Sequence, residues 1–123
     1  MQRTPLEITL VEFPSSSMDA TSEFFQAVCG WTPTVYGSSY TNLAGGGIDV
    51  GLQGDGHEQS PAPLMLIRVG DLEEARERVE AADGTVTFGP FDFPGGRRFH
   101  FREPGGNEMA MWEAVQLPDP PQE

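Results

Sequence analysis

The strongest constraint on this chain is that its pattern of strand, helix and turn signals runs twice. Leu6 to Phe13 is β-branched and apolar and predicts a strand, which Pro14 ends. Ser15-Ser16-Ser17 then offers an N-cap for a helix reaching Cys29, with Gly30 as its C-terminal cap. Met18, Thr21, Phe24, Phe25 and Val28 fall at spacings of three and four and predict the buried face of that helix. Three short strands follow: Trp31 to Tyr36, where Pro33 predicts a sheet edge, then Tyr40 to Leu43 and Ile48 to Gln53. After a polar, breaker-rich stretch the order starts again. Leu64 to Val69 is an apolar strand, and Asp71 with Glu74 forms a capping box for a helix that Gly84 closes. Its apolar side is Leu72, Ala75, Val79 and Ala82, and its charged side is solvated surface. Thr85 to Phe88 is a strand. Two more, around Phe99-His100-Phe101 and Met109 to Trp112, flank the turn Glu103-Pro104-Gly105-Gly106-Asn107.

When the helix caps are aligned, Asp71 lies 54 residues after Ser17, and Leu10 meets Leu64, Val11 meets Met65 and Gly30 meets Gly84. This is an internal repeat of two βαβββ modules. Neither half is large enough to bury a good core alone, whereas two together can close a curved mixed sheet around a cleft. The expected fold class is therefore α+β. The expected layout is a single domain, with module one at 6–53, a linker at 54–63, module two at 64–115 and a Pro-rich tail at 116–123.

Charge narrows the partners. Nineteen acidic residues against seven basic ones give a formal charge of −12, which predicts no binding to nucleic acid or an anionic membrane and would suit a cationic ligand. No apolar stretch approaches the length of a membrane span, and no signal peptide is visible. Cys29 is the single cysteine, so an internal disulfide is impossible and a cytoplasmic location is expected. Cys29 itself is expected to be a small buried apolar residue.

A tandem βαβββ repeat resembles the vicinal oxygen chelate superfamily, which includes glyoxalase I, bleomycin-resistance proteins and extradiol dioxygenases. The resemblance is carried by Phe24-Phe25 before Gly30-Trp31, by the run Val69 to Ala75, by Phe93 to Phe99, and by Glu103-Pro104-Gly105-Gly106-Asn107-Glu108. It covers about Ile8 to Trp112. In metal-dependent members, the resemblance implies one ligand on the first and one on the fourth strand of each module. Those positions fall here on Leu10, Gly51, Leu64 and Ala110, none of which has a side-chain donor, so no metal cofactor is expected. The drug-sequestering members imply a homodimer that binds an aromatic or cationic small molecule without metal.

Strand alternation selects what shares a face with those positions. Ile8, Glu12, Asp49, Gln53, Tyr40 and Asn42 do so in the first module, and Leu66, Arg68, Arg98, His100, Glu108 and Trp112 in the second. The opposite parity, Val11, Phe13, Met65, Ile67, Phe99, Phe101, Met109 and Met111, is apolar throughout and is expected to pack on the helices. Tyr40, Asn42, Arg68, Arg98, Glu108 and Trp112 are the expected ligand-binding residues. Trp112 and Tyr40 offer rings for stacking, and the arginines can hold a carboxylate or phosphate. Plain strand packing of Trp112 and salt bridges of the arginines are the structural alternatives. His57 falls in the linker and is expected to be exposed. His100, an imidazole, is the expected acid or base, with Glu12 or Glu108 as its partner; a purely structural pairing with Glu12 or Glu108 is the alternative. The expected function is metal-independent binding of a small molecule. The alternative is a lyase, isomerase or oxygenase of the same superfamily that uses His100 or an unrecognised metal site.

Overall fold

A computed structural model describes residues 6–57, 60–93 and 95–115. The expected Pro-rich tail lies outside the described residues. Among the described residues two helices and eight strands follow one another in the repeated order. The first module is β1 (Glu7–Pro14), α1 (Met18–Cys29), β2 (Thr32–Tyr36), β3 (Tyr40–Ala44) and β4 (Asp49–Gln53). The second is β5 (Leu64–Arg68), α2 (Leu72–Ala81), β6 (Thr85–Phe93), β7 (Gly96–Arg102) and β8 (Glu108–Ala114). The fold class is α+β, as the pattern predicts. The chain divides into two compact units. One is Ile8–Ile67, and the other runs from Arg68 and takes in Leu6 and Glu7.

In the unit Ile8–Ile67, which takes in β5 as far as Ile67, the strand order is β2-β3-β4-β1-β5. β1 runs parallel to β4, with Glu12 opposite Gly51, and β3 is antiparallel to both β4 and β2. Helix α1 packs over β3 and β4. Leu43, Val50 and Leu52 form the core there, with Phe13, Met18, Phe25 and Trp31 packed against it. Phe25 and Trp31 stack at 5.3 Å. β2 is the edge strand, with Pro33 opposite Leu43.

The helix differs from expectation in its rotation. Phe24 and Val28 are 59% and 65% exposed, and Cys29 is exposed rather than buried. The inner line is Met18, Ser22 and Phe25, because Phe25 is held by the Trp31 and Phe13 rings and Phe24 is left edge-on at the rim. Ser17 occupies the cap position without a side-chain bond. The hydroxyl of Ser15 serves instead, accepting from the Ser17 N–H and bonding to the Thr21 hydroxyl. Gly30 caps the far end in the left-handed conformation at φ 71°.

In the unit from Arg68 the strand order is β8-β7-β6, antiparallel throughout. Asp71 caps α2 by accepting from the Glu74 N–H at 3.1 Å. The left-handed turn after α2 falls on Asp83, at φ 68°, and Gly84 closes the helix end as expected. Gly84 folds back, its N–H donating to the Val79 carbonyl, where an added Cβ would press on the Val79 side chain. Strand β6 is longer than expected. It passes through Gly89-Pro90 to Phe93, with register shifts on both sides of Phe88. A bulge lets one strand absorb a proline and continue.

Candidate functional site

The expected split between faces holds in both units. On the helical side, Leu43, Leu52 and Phe99 are at most 1% exposed. Phe101 and Met111 border a groove of about 890 Å3 beside α2, together with Val69, Asp71, Ala75 and Val79. That groove belongs to the apolar parity. The residues expected to bind a ligand lie on the opposite face.

In Ile8–Ile67 that face is organised around a missing side chain. Glu12 and Asn42 both stand opposite Gly51 in register. A Cβ at Gly51 would collide with the Tyr40 phenol oxygen, so the phenol fills the space above the glycine. From there the Tyr40 hydroxyl donates to Glu12 Oε2 at 3.0 Å, and Glu12 is 2% exposed. Beside them Asn42 Nδ2 donates to Asp49 Oδ2 at 3.1 Å. A buried carboxylate is tolerable only when it is hydrogen-bonded, and the Tyr40 hydroxyl supplies one such bond. Ile8, expected on this face, is 49% exposed near the strand end.

In the unit from Arg68 the face is a ladder of cations and rings. Trp112 stands opposite Arg98 and Ala110 opposite His100 across β7 and β8, while Phe91 and Phe88 stand opposite Arg98 and His100 across β6 and β7. The Arg68 guanidinium lies 5.5 Å over the Trp112 ring. Phe93 meets Trp112 edge-on at 6.0 Å. The Arg98 guanidinium lies 5.6 Å from Phe93 and 5.3 Å from Phe91. Phe91 stacks on Phe88 at 4.6 Å, and His100 packs against both of those rings. Arg98 and His100 are 4% and 3% exposed, whereas Arg68 is open to solvent. Glu108, at the far end of β8, accepts from the Thr87 hydroxyl at 2.7 Å.

The expected residues thus come together as Tyr40 with Glu12, Asn42 with Asp49, and Arg68 with Trp112. His57 is exposed, as expected, its backbone N–H donating to Asp55. Phe88, Phe91 and Phe93 were missed as site residues. Alternation pairs Phe91 with Arg98 once β6 is carried past Pro90, but the proline reads in the sequence as a strand end and hides that pairing. Leu10, Gly51, Leu64 and Ala110 occupy the strand positions expected for them and carry no donor atoms.

No helix of the described residues is long and apolar enough to cross a membrane. No curated protein matches the chain. Among solved structures, methylmalonyl-CoA epimerase from Mycobacterium tuberculosis superposes with a TM-score of 0.66 at 14% identity, over 89% of this chain and 88% of that one. A glyoxalase/bleomycin resistance protein/dioxygenase superfamily member from Vibrio splendidus 12B01 gives 0.61 at 19% identity, over 90% and 100%. The Mn(II)-bound glyoxalase from Novosphingobium aromaticivorans gives 0.64 at 21% identity, over 87% of this chain and 38% of that longer one. At these identities the likeness is one of fold. Residues 7–111 match the family model described as the Glyoxalase/Bleomycin resistance protein/Dioxygenase superfamily, and the chain belongs to that superfamily.

Proposed function

We propose that this protein binds small aromatic molecules without a metal, on the sheet face of the first unit that carries Tyr40 and Asn42 and on the sheet face of the second that carries Arg68, Arg98, Glu108 and Trp112. The observation that carries the proposal is the pairing of Gly51 with Tyr40. At a strand position where the resemblance implies a metal ligand, the chain has no side chain, and the phenol of its own Tyr40 takes up the space. Leu10, Leu64 and Ala110 likewise offer only carbon. The residues present do not fit a resident metal. Rings and a few convergent polar groups are what a small-molecule site requires. A cationic ligand would suit the Glu12 and Asp49 carboxylates of the first unit.

A thermal-shift screen with planar aromatic and cationic compounds, run with and without chelator, tests this. A ligand at about one hundred times its Kd should add about 2.7 kcal/mol of stability, undiminished by chelator. Stoichiometric metal in the purified protein, with ligand binding that vanishes on chelation, would overturn the proposal.

A second reading is favoured by the burial of His100 against Phe88 and Phe91: an enzyme in which this imidazole moves a proton. The His100→Ala variant should then lose turnover at least 100-fold while keeping its fold by circular dichroism. Equal activity in the variant removes His100 from the reaction. Homodimer formation and a cytoplasmic location complete the proposal. Light scattering of the purified protein checks the first, and fractionation of the source cells checks the second.

A further inference from the structure

We infer that the ligand of the unit from Arg68 is a planar anion, an aromatic carboxylate, seated on the ladder Arg68–Trp112–Phe93–Arg98. This rests on the small-molecule reading above and names its ligand class. The argument turns on which ring faces are already taken. A cation is attracted to the face of an aromatic ring by about 0.5–2 kcal/mol. Here the chain's own guanidiniums hold those places: Arg68 lies over Trp112, and Arg98 lies against both Phe91 and Phe93. A cationic ligand would have to displace an arginine to gain the same contact, and at Trp112 it would meet the charge of the exposed Arg68. An anion competes with neither guanidinium. Its ring can stack along the Trp112 and Phe93 edge, and its carboxylate can meet the exposed Arg68 in a two-pronged, charge-assisted contact. Arg98, 4% exposed, keeps the Phe91 and Phe93 rings engaged from within the fold. The net charge of −12 acts over longer distances and is largely screened beyond about 8 Å at physiological salt. The exposed Arg68 beside Trp112 therefore decides the sign of the ligand.

The test uses three molecules of one shape: naphthoate, naphthamide and naphthamidine. In a Trp31→Phe background Trp112 is the single tryptophan, so its fluorescence reports binding at the ladder. Naphthoate should quench Trp112, naphthamide should bind about ten-fold more weakly, and naphthamidine more weakly still, since about 1.4 kcal/mol corresponds to ten-fold. Arg68→Gln should reduce naphthoate affinity about ten-fold and leave naphthamide unchanged, and Arg68→Lys should restore part of the loss. Because Arg68 is exposed, these variants keep the fold, which circular dichroism verifies. Naphthamidine binding as tightly as naphthoate overturns the inference, as does naphthoate affinity that Arg68→Gln leaves intact. In either case a Trp112 response still supports small-molecule binding. Silence of Trp112 to all three overturns the ladder as the seat, and the thermal-shift screen decides the broader reading independently.

Discussion

Between Ile8 and Ile67 there is no Lys or Arg, and the sheet face of that unit carries Glu12 and Asp49. From Arg68 onward the corresponding face carries Arg68, Arg98 and His100 among four aromatic rings, Phe88, Phe91, Phe93 and Trp112. The helical faces tell the opposite story. Leu43, Val50 and Leu52 in one unit and Phe99 and Phe101 in the other are all buried hydrocarbon. Element order and core are thus repeated, while the polar and aromatic chemistry of the other face is not. Core packing constrains volume and apolarity on one side of each strand. Because side chains alternate, the other side is free to differ.

The comparison can be broken first at the cores. If the two are equivalent, Phe99→Ala should cost about 3–5 kcal/mol and Leu52→Ala about 2–5 kcal/mol by urea denaturation. A cost near zero for either would mean that its unit is held by something other than this core. The next effect is at Gly51, where the first unit has nothing like the ladder of the second. Gly51→Ala should destabilise by about 1–3 kcal/mol, through collision with the phenol, and by clearly less in a Tyr40→Ser background. Additive costs in that double-mutant cycle would show that Tyr40 is not what excludes a side chain there. Smaller again is Arg68→Gln, expected to cost at most about 1 kcal/mol of stability, since its cation–ring contact is exposed. Its effect should appear in ligand affinity instead.

The smallest effect separates the two hairpin turns. The turn around Gly46 lies under the Trp31 indole, which leaves no room for a Cβ. The turn at 103–107 is held by a charge: the Glu103 carboxylate accepts from the Gly105 and Asn107 N–H groups and from the Asn107 side chain. Those bonds favour the ionised form and lower the pKa of Glu103. A carboxyl whose pKa falls on folding adds stability above its unfolded pKa and loses it as pH drops through the folded value. Wild type should therefore lose slightly more stability than Glu103→Gln on acidification through and below the ordinary glutamate range. Thermal melts across that range compare the two, and parallel curves would show that the charge is not what holds the turn.

Much of this architecture was legible in the residues, because it rests on local rules. The repeat followed from caps and breakers, the edge position of β2 from Pro33, and the face assignments of Glu12, Tyr40, Arg98 and Trp112 from alternation. What escaped depended on tertiary contacts. The rotation of α1 is chosen by ring packing of Phe25 on Trp31 and Phe13, which leaves Phe24, Val28 and Cys29 outside. The extension of β6 depends on a bulge that absorbs Pro90, which sequence rules read as a stop. The ladder needed that extension, because Phe91 and Phe93 reach Arg98 only once β6 continues past the proline.

Pro33 has a further consequence. An edge strand offers a row of amide donors that another chain can pair with, and β2 also exposes Val35 and Tyr36. At Pro33 one donor is absent and the ring stands in the way of an incoming strand. The proline thus acts as a gatekeeper against self-templated assembly, at the one strand of its unit where an apolar, uncovered edge would otherwise invite fibre growth.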